Sequence, residues 1–148
     1  MKESSLKNLL KKTEIEKIQA EQHLSKSFDE VEHCKTKIEE LTNYLEIYKK
    51  EYHTNSKKGT DLMMIQSYTY FINNIRGMVE YWNQQLVQSY AKLEQALTDF
   101  HKKDNFDKKL TEKLQVVVKE RRALDDKKSE QLVNDILVTS NYFFRKTS

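Results

Sequence analysis

Apolar side chains recur along the first half of the chain at alternating steps of four and three residues. The series runs Leu6, Leu10, Thr13, Lys17, Ala20, Leu24, Ser27, Val31, Cys34, Ile38, Leu41, Leu45, Tyr48 and Tyr52, and eleven of the fourteen are apolar or aromatic. That spacing gathers them on one stripe of an α-helix and leaves Glu, Lys and Gln elsewhere. A strand needs period two, which is absent. The same steps from Ile65 give Tyr68, Ile72, Ile75, Val79, Trp82, Leu86, Ser89, Leu93, Ala96 and Phe100, ten of the eleven suited to a buried seam. Lys103 and Asp107 interrupt it before Leu110, Leu114, Val117 and Leu124 resume. Leu132, Val133, Ile136 and Leu137 form a last short stripe in a shifted register.

Between the two arrays lies the stretch from His53 to Asp61. Gly59 permits positive φ, Asn55 and Ser56 favour turns, and Thr60 or Asp61 can cap the next helix. A short connection makes neighbouring helices antiparallel. The pattern therefore predicts an all-α protein: an antiparallel two-helix coiled-coil hairpin with a long C-terminal helical overhang. It places one helix over about residues 3–53, a turn over about 54–60 and a second helix over about 61–144, in a single elongated domain spanning residues 1–148. Seam matching puts Tyr48 near Ile65, Leu41 against Ile72, Cys34 against Val79, Val31 against Trp82 and Leu6 near Asp107. The helices are then roughly 75 and 120 Å long, with the final ~35 residues overhanging. Gly77, inside the second helix, reads as a site of close backbone approach or local bending.

Composition sharpens this picture. Of 148 residues two are glycine and none proline, too little punctuation for a sandwich, barrel or βαβ fold. A charged fraction of 33% with mean hydropathy of −0.85 fits long solvated helices. Disorder would come with few aromatics, yet there are eight Tyr, six Phe and one Trp. A net charge of only +3 argues against a dedicated nucleic-acid partner. A single cysteine allows no intrachain disulfide and fits a reducing compartment. The N-terminal run is no secretory signal and no apolar stretch reaches 18 residues, so the sequence reads as cytoplasmic.

Catalytic chemistry is not signalled. There is no phosphate-binding glycine loop, no paired-cysteine zinc spacing and no nucleophile elbow. His33 and Cys34 adjoin, but helical neighbours point about 100° apart and cannot chelate together. Cys34 sits on the seam as a small hydrophobe. The expectation is a protein that is not an enzyme, with no cofactor, no metal and no small-molecule substrate.

The aromatics carry more information. Nine of the fifteen fall between Tyr44 and Tyr90. Tyr48, Tyr52, Tyr68 and Trp82 lie on the seam, as core packing requires. Tyr44 lies beside it, Met64, Phe71 and Met78 form a second stripe, and Tyr70 and Tyr81 fall on faces that two helices leave open. Such stripes mark a partner surface; a third helix or self-association is the alternative. Between His101 and Lys128, ten Lys or Arg stand against six Asp or Glu. That run is either a solvated helix face or a surface steered onto an acidic partner.

The run Leu41-Thr-Asn-Tyr44-Leu-Glu-Ile-Tyr48 is similar to the Leu-x-x-Tyr-x-x-x-Tyr element of the flagellar export protein family FliJ. After the glycine-containing turn, Ile65-Gln-Ser-Tyr68-Thr-Tyr-Phe71-Ile72 resembles that family's Tyr-x-x-Phe-Ile element. The likeness in length, turn position and overhang spans nearly the whole chain, and Asp126-Lys127-Lys128 resembles the family's charged tail. The resemblance implies a non-catalytic coiled-coil stalk of the flagellar type III export apparatus, likened to the central stalk of rotary ATPases. Its implied partners are the hexameric export ATPase, the cytoplasmic domain or linker of the transmembrane export gate, and export chaperones. The implied gate-contacting residues are Leu41, Tyr44, Tyr48, Phe71, Ile75, Met78 and Trp82. Lys37 stands where the family has a glutamine, while Met78 and Trp82 replace a small residue and a histidine, so the face is bulkier here. The free protein is expected to be a monomer, peripherally associated with the inner-membrane export apparatus. A virulence-type secretion stalk and a self-associating structural coiled coil are the alternatives.

Overall fold

The computed structural model describes residues 2–59 and 61–147, without the side chains of Lys146 and Thr147. It contains two helices, α1 (Glu3–Lys57) and α2 (Leu62–Thr147), packed against each other as an all-α hairpin. The heptad stripes are its seam. Every one of the fourteen positions of the first series is buried or half-buried, and so are all eleven of the second. The core is narrow, because only one stripe of each helix can be covered. Among the described residues, Leu6 and Val31 are the largest side chains that are fully enclosed.

Local chemistry explains the ends. The Leu6 amide donates to the Lys2 carbonyl at 3.1 Å, and Glu3 supplies an acidic first turn that favours the helix dipole. α1 runs to Lys57, four residues beyond the expected end. Asn55 and Ser56 are helical rather than part of a turn, since their side chains find partners there. The Asn55 amide donates to the Tyr68 hydroxyl at 2.7 Å, and the Ser56 hydroxyl donates to the His53 carbonyl at 3.0 Å. Gly59 leaves the helix at φ 78°, the left-handed region that glycine enters without a steric penalty. Asp61 then caps α2, its carboxylate accepting from the Met64 amide at 2.9 Å. Thr60, the other expected cap, lies outside the described residues.

The later bend changes the register. Tyr48 stacks on Phe71 rather than meeting Ile65, and Cys34 lies 3.6 Å from the Ser89 hydroxyl rather than against Val79. Trp82 takes the edge of His33, and Asp107 meets Thr13 instead of Leu6. Moving the bend toward the C-terminus displaces the Tyr48, Cys34 and Asp107 pairings by six to ten residues, whereas Trp82 stays within two residues of its expected partner.

The chain divides into two compact units, Ile18–Lys102 and Met1–Lys17 with Lys103–Ser148. In the first, small residues (Ala20, Ser27, Val31, Cys34, Ser89 and Ala96) make the tightest part of the seam. Toward the bend, aromatic layers replace them. In the second, Leu6, Thr13 and Leu110 are buried, and Arg121 pairs with Glu3 at 3.1 Å. Beyond that pair every side chain through Arg145 is exposed. The overhang thus begins about nine residues later than expected, because α1 reaches further along α2. Gly77 has open space where a Cβ would stand, so it serves no close approach.

Candidate functional site

The face suggested by the sequence lies within Ile18–Lys102, near the bend. Two helices with large side chains on their facing stripes cannot close over them, so the rings are stacked and partly uncovered. Tyr48 and Phe71 lie parallel, 5.8 Å between centroids and 2° between planes. Tyr52 and Tyr68 meet edge-on at 5.6 Å, and Tyr70 adds an edge contact to Phe71 at 6.2 Å. Tyr44 stands one helical turn before Tyr48 and is 56% exposed. It borders a shallow hollow of about 300 Å³ shared with Glu40, Asn43 and Ile47.

On α2, Met64, Phe71 and Met78 recur every seven residues and are 45%, 49% and 52% exposed. Beneath this stripe Ile75 is 8% exposed, so it supports the face from inside and offers little surface of its own. Leu41, Tyr48 and Trp82 are half-buried. The Tyr48–Phe71 stack therefore links Tyr44 on α1 to the stripe on α2 as one apolar strip. Trp82 belongs to a different setting. Its ring contacts His33 at 5.5 Å and Tyr81 at 5.4 Å, beside a polar hollow of about 420 Å³ lined in part by Lys26, Asp29 and Glu30.

Other exposed groups enlarge the strip. Ile47 and Tyr70 are exposed, the latter read from its off-seam position and the former not singled out. A count of off-seam aliphatics near Tyr44 would have found Ile47. Lys35 sits over the Tyr90 ring at 5.7 Å, and hydrogen bonding to Tyr90 together with the nearby Glu32 carboxylate raises its pKa above the ordinary 10.5. His33 and Cys34 turn to different neighbours, Trp82 and Ser89. What this strip can do is present flat rings and flexible thioethers to another surface.

No helix among the described residues is long and apolar enough to cross a membrane. A search of known families matches residues 1–147 to the one described as Flagellar FliJ protein. No curated protein and no solved structure gives a significant match.

Proposed function

Since this chain belongs to the flagellar FliJ family, and is thus a coiled-coil protein of flagellar export, we propose that it acts as the non-catalytic stalk between the hexameric export ATPase and the transmembrane export gate. The observation that carries this reading is the uncovered strip of Tyr44, Phe71 and Met78 beside the bend. It offers apolar area and rigid rings without a pocket, which suits docking onto a protein. Leu41, Tyr48, Ile75 and Trp82 complete the proposed gate-binding set, with Ile75 acting by support.

Toward the termini, the exposed helix bearing Arg121, Arg122, Lys127 and Lys128, followed by Leu132, Val133, Ile136 and Leu137, suits entry into the ATPase ring. Coupling then works through contacts that differ between ring and gate states, with no residue of this chain touching nucleotide. Export chaperones are further partners. The protein works at the cytoplasmic side of the inner membrane, held there by its partners, and is monomeric when free. The family match favours the flagellar machine over the virulence-type alternative.

The experiment is calorimetric titration of the full chain with the cytoplasmic domain of the gate protein. Tyr44→Ala with Phe71→Ala is expected to abolish binding while circular dichroism shows unchanged helicity. Unchanged affinity would remove the strip from the proposal.

A further inference from the structure

A heptad seam is translationally degenerate. Sliding one helix by seven residues returns apolar positions to apolar positions. The degeneracy is real in this chain, because the apolar pattern alone supports a pairing displaced from the observed one by about a heptad. The stretch from His53 to Asp61, rich in turn-forming residues, admits a bend at more than one place. Something else must select the register.

Four polar side chains on or beside the seam, within Met1–Lys17 and Lys103–Ser148, supply the selection. Lys17 Nζ lies 2.9 Å from Asp104 Oδ1 and 3.8 Å from Asp107 Oδ2. The Thr13 hydroxyl donates to the Leu10 carbonyl at 2.9 Å and lies 3.4 Å from Asp107 Oδ1. Lys108 holds the other oxygen of Asp104 at 3.0 Å. Thr13 is buried, and Lys17, Asp104 and Asp107 are half-buried. This is a matched set: a cation and a hydroxyl on α1 facing two carboxylates on α2. No heptad slip preserves it. In one direction Asp107 arrives opposite Leu6; in the other Lys17 arrives opposite Leu110, and both leucines are buried. Either slip takes a half-buried charge away from its present partners and sets it opposite hydrocarbon.

We propose that Thr13, Lys17, Asp104 and Asp107 form a register lock, which chooses one of two or more heptad alignments that the apolar seam leaves nearly equivalent. A single polar residue in a coiled-coil seam is known to fix register at a cost in stability. Here the device joins both helices of one hairpin. It makes sliding by a heptad the rearrangement this fold most nearly permits, and the cluster is what forbids it.

The test is a spin-label distance measurement on the full chain, with Cys34→Ser removing the native thiol and labels attached through Lys12→Cys and Lys128→Cys. Both label sites are exposed. In the observed register they are separated by about 30 Å along the helix axes, and a heptad slip changes that by about 10 Å. With the cluster intact, one distance population is expected. Lys17→Leu with Asp107→Leu restores apolar character to both seam positions, so the variant is expected to stay helical and to show a second population displaced by about 10 Å. A single unchanged population in that variant overturns the lock. Should the leucine variant lose its helicity, Lys17→Asp with Asp104→Asn and Asp107→Lys decides. Lys17→Asp alone is expected to populate the displaced distance and the full exchange to restore the single original one; a single unchanged population in Lys17→Asp alone overturns the lock.

Discussion

The seam near the bend and the seam near the termini are built from the same repeat and reach opposite ends. Around Tyr48, Tyr52, Tyr68 and Trp82 the repeat is filled with large rings that α1 and α2 cover only in part. Around Thr13, Lys17, Asp104 and Asp107 it is filled with polar groups that satisfy one another. The first arrangement leaves apolar surface exposed. The second gives up apolar burial in return for a unique alignment. A two-helix seam thus has room for one of these properties at a time, and the chain assigns them to different stretches.

Truncating the core should hurt most. Leu6→Ala removes a fully buried side chain and is expected to cost about 2–5 kcal/mol in thermal or urea unfolding. Phe71→Ala removes a half-exposed ring and is expected to cost about 0.5–1.5 kcal/mol, mainly its stack with Tyr48. If Phe71→Ala were the costlier of the two, the strip would be core rather than docking surface. Asp61→Ala loses the cap of α2 and should cost about 1 kcal/mol, leaving partner binding alone. Gly77→Ala should stabilise by up to about 1 kcal/mol, since its Cβ meets nothing and helical backbone favours alanine.

The smallest effect is acid sensitivity. Hydrogen bonds from Lys17, then Lys108, hold the Asp104 carboxyl below its ordinary 3.8. A carboxylate with a lowered folded-state pKa contributes stability that is fully present above the ordinary value and is lost as pH falls through the folded one. The melting temperature should therefore be insensitive to this group near neutrality and fall below about pH 4, with the fall reduced in Asp104→Asn. An identical acid profile in that variant would show that the pairing with Lys17 contributes nothing.

The fold was legible because burial follows the seven-residue pattern position by position, even where the seam residue is Thr13 or Ser27. The register was not legible from apolar positions, which look alike after a one-heptad slide. Pairing polar with polar finds it, because Thr13 and Lys17 are consecutive polar positions of the first seam and Lys103 and Asp107 are consecutive polar positions of the second. The sequence pattern sets the bend too early because Asn55 and Ser56 are turn formers by residue type. Within the fold their side chains reach Tyr68 and His53, and the helix continues until Gly59. At the candidate face, off-seam positions marked Tyr44, Phe71 and Met78 as exposed. Ile75 is on the seam and is buried for the same reason.

Export-ATPase turnover and hexamer formation, measured with and without the full chain, test the stalk role most directly. Both should rise when the chain is added. No change in either would contradict that role.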